Sequence, residues 1–208
     1  MSLLIKIAFL FSALVFTVLR SCGGSTSSLP VADYISWIED EKNGLLVTKK
    51  ISDYSFSVQY KPSAYVVLQE EKRSTFSDKQ FDSLVNAVSD MQYYTLKIGA
   101  EGSKDVTRFG LNNDQEYYAR QEYLATQMQQ DIRLIDGTDT LNCLMYHYER
   151  TYGIDPQASI VLAFENKNAG KTTGNKTIVY DDRHFGTGPV MLTIGAQALG
   201  TVPQITLN

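Results

Sequence analysis

Apolar residues recur along this chain with three different spacings, and each spacing marks out a region. From Ile7 to Leu19 no charge interrupts the apolar run. Between Tyr34 and Met128 apolar residues fall largely at helical intervals: Tyr34, Trp37 and Ile38 predict a helix from Tyr34 to about Lys42 with Asp33 as N-cap, closed by Asn43-Gly44. Ser77 and Gln80 form a capping box ahead of Phe81, Leu84, Val85 and Val88, which predicts a helix to about Met91. Asp114 is placed to cap another, burying Tyr117, Leu124 and Met128 and ending near Asp131. The segment Ser63 to Lys72 carries both strand and helix signals, and Pro62 before it tips the reading to helix.

Strict alternation marks the strands. Leu45–Ile51 and Tyr54–Tyr60 form a hairpin around Ser52-Asp53, and Tyr93–Ala100 places Tyr94, Leu96 and Ile98 on one side. Beyond Asp131 strands predominate: Ile132–Ile135 and Thr140–Arg150 flank the turn Asp136-Gly137-Thr138-Asp139, and Ser159–Glu165 and Lys176–Tyr180 flank a Gly/Asn/Lys-rich tip, Asn166–Asn175. Val190–Ile194 and Gln204–Leu207 complete the set. The pattern predicts an α+β fold, with a strand-rich, sandwich-like antiparallel C-terminal half and a few packed helices in the N-terminal half.

The apolar run at the start is too short to span a bilayer, which needs about 20 apolar residues. Lys6 precedes it and Leu19-Arg20-Ser21-Cys22 ends it, followed by Gly23-Gly24-Ser25-Thr26-Ser27-Ser28. This arrangement resembles the signal peptide and lipobox of bacterial lipoproteins, departing from the family pattern at Arg20, where a small uncharged residue is usual. The resemblance implies cleavage before Cys22, lipidation of its sulfur, and a cell-envelope location, with the outer membrane favoured because no Asp follows Cys22. It divides the chain into a signal peptide (1–21), an acylated cysteine with a flexible tether (22–30) and a single α+β domain (31–208). Segments such as Tyr34–Leu45 and Asp131–Tyr152 are similar to those of uncharacterised bacterial cell-envelope lipoproteins, to which no activity is attached.

Charge narrows the partners. The 208 residues carry a net charge of −4, and losing Lys6 and Arg20 with the leader makes the remainder more acidic. Such a chain does not suit nucleic acid or adhesion to anionic lipid, which call for clustered cations. Thirteen tyrosines stand against a single tryptophan, a composition that suits the wide half-buried surface of an exported domain and equally suits carbohydrate or protein contact, between which composition does not decide. With Cys22 acylated, Cys143 is left without an internal disulfide partner and reads as a small buried residue.

Two stretches carry candidate chemistry. If Thr140–Arg150 is extended, Cys143, Met145, His147 and Glu149 share a face, and thiol, thioether and imidazole together suit a soft metal. Their spacing of nearly 7 Å along a strand opposes a shared ion, so the stretch reads foremost as a buried strand with a polar end. In Asp181-Asp182-Arg183-His184-Phe185-Gly186, Asp182 and His184 are candidates for metal binding or acid-base work, against a turn as the plainer reading. Asp136-Gly137-Thr138-Asp139 and Asn112-Asn113-Asp114 lack the ligand spacing of a calcium loop and read as turns or caps. No nucleophile elbow, zincin motif, P-loop or dinucleotide fingerprint occurs, and no cofactor is implied. The sequence therefore points to a lipid-anchored, non-enzymatic envelope domain binding a protein or glycan partner or serving in an assembly. The alternatives are an envelope hydrolase acting on glycan or peptide and a metal-binding module.

Overall fold

The first described element is a three-residue strand, Ser28–Pro30 (β1), in a computed structural model that describes residues 27–71, 76–151, 153–167 and 174–207. β1 pairs in parallel with the last strand, Gln204–Thr206 (β11), so Ser28–Pro30, inside the stretch expected to be tether, is a paired strand. The leader and Cys22 lie outside the described residues. Pro30 turns the chain into a helix, Val31–Glu39 (α1). Asp33 lies in the first turn of α1, where its charge complements the helix dipole, and is not the N-cap expected. A short 3-10 turn, Glu41–Asn43, follows and ends at Gly44, whose φ of 74° is accessible to glycine without strain.

The next hairpin forms as its alternation predicts, Leu46–Ile51 (β2) with Tyr54–Lys61 (β3). After Pro62, Ser63–Glu70 (α2) is helical. Asp78–Val88 (α3) starts at the Ser77 capping box, with the Ser77 hydroxyl accepting from Gln80 N and the Gln80 side chain accepting from Ser77 N. Met91–Ala100 (β4) then buries Gln92, Tyr94, Leu96 and Ile98 on one face. Asn113, one residue before the expected Asp114, caps Asp114–Glu122 (α4). The helix widens into a single π turn, Tyr123–Gln127, and tightens into a 3-10 turn, Met128–Asp131. Leu124 and Met128 are buried as the spacing predicts, together with Arg120 and Tyr123, while Tyr117 is only half-buried.

The remaining elements are Ile132–Asp136 (β5), Asp139–Asn142 (β6), Met145–Glu149 (β7), Ala158–Glu165 (β8), Lys176–Asp181 (β9), Pro189–Ile194 (β10) and Ala196–Gly200 (α5). Two antiparallel sheets result, one of order β2-β3-β4-β8-β7 and one of order β10-β9-β5-β6. Phe56, Val58, Leu96, Ile98, Ile160 and Leu162 from the first meet Leu134, Ile178, Val190 and Leu192 from the second in one core, each contributing about 1.5–3 kcal/mol by burial. The fold is α+β and sandwich-like.

Two expectations about connections are corrected. Thr140–Arg150 is two strands, because the chain leaves the smaller sheet after Asn142 and joins the larger at Met145, with Leu144 N–H bonding to Ala163 O. The segments flanking Asn166–Asn175 form no hairpin: β8 pairs with β4 and β7, whereas β9 pairs with β5 and β10. Both segments carry the pattern of a buried strand, and only pairing decides which sheet each joins.

Candidate functional site

α4 and the segment following β7 border an open groove of about 390 Å³. Its walls include Tyr117, Tyr118, Gln121 and Glu122 from α4, Tyr148 and Arg150 from the end of β7, and Asp105. Because successive helix residues diverge, Tyr117 and Tyr118 meet edge to face, their ring centroids 5.3 Å apart, and Tyr118 stays 68% exposed. Arg108 stacks its guanidinium 3.9 Å from the Tyr117 ring centroid, holding that ring from one side. Tyr148 donates to Gln121 Oε1 at 3.5 Å, and burial holds the Tyr148 hydroxyl above its ordinary pKa, so it remains a donor. Asp105 is committed locally, its Oδ1 accepting from Thr107 N and Oγ1 at 2.9 and 2.7 Å. Glu122 and Arg150 make no side-chain hydrogen bond or ion pair among the described residues, so the groove presents aromatic faces beside free charged groups.

A second polar centre lies at the end of β9. Asp182 Oδ1 accepts from the backbone N–H groups of His184 and Phe185, both at 2.8 Å, and Oδ2 accepts from Thr187 N and Oγ1. Burial pushes this carboxyl up, but the donors from Thr187, Phe185 and His184 outweigh it and hold Asp182 below the usual aspartate value. Behind the loop, Tyr180 donates to Asp182 at 3.1 Å, Tyr123 donates to Asp131 at 2.9 Å, and the two hydroxyls are 3.2 Å apart. His184 stacks on Tyr123 with centroids 3.8 Å apart, and Arg183 pairs with Asp131 at 3.0 Å. Arg120, buried in α4, donates to Val106 O and Phe109 O and faces Phe185. Asp182 thus organises a turn, with its oxygens filled.

A third cluster is sealed inside. Lys176 Nζ lies 2.7 Å from both Asp136 Oδ2 and Gln92 Oε1, and Gln92 Nε2 donates to the same Asp136 oxygen at 2.8 Å. Gln92 belongs to the larger sheet, Asp136 and Lys176 to the smaller.

The residues of the soft-metal alternative in Thr140–Arg150 do not share one face. Cys143 is buried in the break between β6 and β7, its thiol donating to Met145 O and pushed up by burial to about 11, while Met145, His147 and Glu149 are exposed on β7. Among the described residues no three His, Cys, Asp or Glu side chains converge as a metal site requires. Sequence reasoning missed the groove, because Tyr117, Tyr118 and Tyr148 meet only through tertiary contact. It also missed Gln92, Asp136 and Lys176, although strand alternation places all three on inward faces. Comparison with protein-family models, with curated proteins and with solved structures finds no match.

Proposed function

We propose that this chain is a lipid-anchored protein of the bacterial cell envelope, carried at the outer membrane, whose folded domain binds an uncharged glycan in the groove beside α4. The observation that carries the binding reading is the pairing in one groove of the exposed Tyr118 ring with the Glu122 and Arg150 side chains, which make no hydrogen bond or ion pair among the described residues. Pyranose rings offer apolar C–H faces to aromatic rings and vicinal hydroxyls to planar acids, amides and guanidinium groups, and a volume of this size suits a small ligand. The acidic chain disfavours polyanions. A glycan hydrolase would need two free carboxyl groups at the scissile bond, and Asp105 is already bound by Thr107. Support for the anchor is the apolar leader ending at Cys22, with diacylation holding such a chain at the surface by about 0.8 kcal/mol per buried methylene.

The test is calorimetric titration of the full detergent-extracted chain with uncharged oligosaccharides. Saturable binding is expected, weakened roughly five- to tenfold by Tyr118→Ala at unchanged thermal midpoint, as the loss of about 1–1.5 kcal/mol of aromatic contact implies. Absence of binding across a broad glycan set refutes the reading, and release of shortened sugars replaces it with the hydrolase. The anchor is tested by intact mass: wild-type protein carries diacylglycerol and Cys22→Ala does not.

A further inference from the structure

Lys176, Asp136, Gln92 and Tyr94 are all buried, and their contacts exceed what an ion pair needs. Asp136 Oδ2 is shared by the Lys176 amine and the Gln92 amide nitrogen, at 2.7 and 2.8 Å. The Gln92 oxygen receives the amine at 2.7 Å and the Tyr94 hydroxyl at 3.1 Å, while Gln92 Nε2 also donates to Glu165 O at 3.0 Å. Asp136 Oδ1 has no partner among the described residues, so all the bonding of this carboxylate falls on the oxygen between the two nitrogens.

We propose that Lys176 and Gln92 join in an intramolecular isopeptide bond, the amine displacing ammonia from the side-chain amide with Asp136 as proton carrier. The Lys176 ammonium gives one proton to Asp136 Oδ2, and the freed lone pair attacks Gln92 Cδ. The developing oxyanion on Oε1 is met by the Tyr94 hydroxyl, which burial keeps protonated. Asp136 passes its proton to Nε2 as the Cδ–Nε2 bond breaks and takes the second proton from Nζ. Of the five protons first shared by the two nitrogens, one stays on the new amide, three leave as ammonia and one stays on Asp136, so no charge remains in the core. Two features favour the reaction: the groups are held together by the two sheets, which supplies a large effective concentration, and the product removes a buried ion pair whose desolvation is costly. The bond ties β4 to β9, joining the two layers covalently.

Peptide mapping of the full chain by trypsin and tandem mass spectrometry tests this. Peptide 80–97 should appear joined to 172–183, uncleaved after Lys176 and lighter than the pair by one ammonia. Lys176→Arg and Asp136→Asn should release peptide 80–97 unlinked. If either variant fails to fold, the wild-type map alone still decides. A wild-type map with free 80–97 and cleavage after Lys176 overturns the proposal. So does a link formed with loss of water between Lys176 and Asp136.

Discussion

At one end of the β5–β9 pair, Asp136 and Lys176 sit opposite each other and face Gln92 in a space closed to solvent. At the other end, Asp131 and Asp182 flank the hydroxyls of Tyr123 and Tyr180, and the rim is open: Arg183, which pairs with Asp131, has a side chain 71% exposed. The strand pair thus has polar groups at both of its ends, Asp136 and Lys176 on the strands themselves and, at the other end, Tyr180 of β9 with Tyr123, Asp131 and Asp182 from the flanking segments. What differs is the presence of an electrophile. The open end holds two hydroxyl protons for three oxygen contacts, so each tyrosine donates outward to its own carboxylate and the 3.2 Å Tyr–Tyr contact is left over. Such a chain can only share protons. The sealed end sets an amine against an amide carbonyl, with a proton carrier touching both nitrogens. Position in a sandwich decides that a polar group is desolvated, and its neighbours decide whether it reacts.

The largest expected effect is at the sealed end. Lys176→Ala leaves Asp136 buried and alone and should cost about 3–5 kcal/mol in urea unfolding if the cluster is only an ion pair, and more than that if the variant also loses a covalent link. Replacing both partners, as Lys176→Met with Asp136→Leu, should recover most of that loss if the cluster is only an ion pair. If the isopeptide forms, the double variant stays below wild type by roughly 4–5 kcal/mol, the closure entropy of the loop between residues 84 apart.

At the open end the costs should be smaller and graded. Tyr123→Phe removes the donor to a buried Asp131 oxygen and should cost about 1–3 kcal/mol. Tyr180→Phe should cost about 1 kcal/mol, because Asp182 keeps its backbone donors. Reversal of that order would mean the Tyr–Tyr contact is the important one.

The smallest effects are in pH dependence, and they belong to the open end. His184 is held below its ordinary value of 6.5, first by burial and then by Arg120. The folded chain resists its proton, so its contribution is full above pH 6.5 and declines as pH falls through the depressed value. Asp182 is held below its ordinary 3.8, so its stabilisation is present above that pH and lost as pH falls further. Denaturation midpoints between pH 7 and 3 should show both slopes, His184→Gln removing the upper and Asp182→Asn the lower.

Local signals in the sequence were enough for most elements. The Ser77-Gln80 capping box, the Tyr54–Tyr60 alternation and Asn43-Gly44 each encode their own geometry within a few residues. What failed was non-local. β8 and β9 look alike as buried strands, and their assignment to different sheets depends on partners far along the chain. The break at Cys143-Leu144 escaped because no glycine or proline marks it. The same limit hid the sites. Lys176 opens a strand whose alternation buries it, a local conflict visible in Lys176-Thr177-Ile178-Val179-Tyr180, but its relief by Asp136 and Gln92 exists only once the sheets meet.

The most direct measurement of the difference between the two ends is the size of the unfolded chain. In concentrated guanidinium, with thiols reduced, a chain closed between Gln92 and Lys176 cannot extend its 84-residue loop. Light scattering should therefore give wild-type protein a smaller hydrodynamic radius than Lys176→Arg, with Tyr123→Phe indistinguishable from wild type. Equal radii for wild type and Lys176→Arg would contradict the account and reduce the sealed cluster to a buried ion pair.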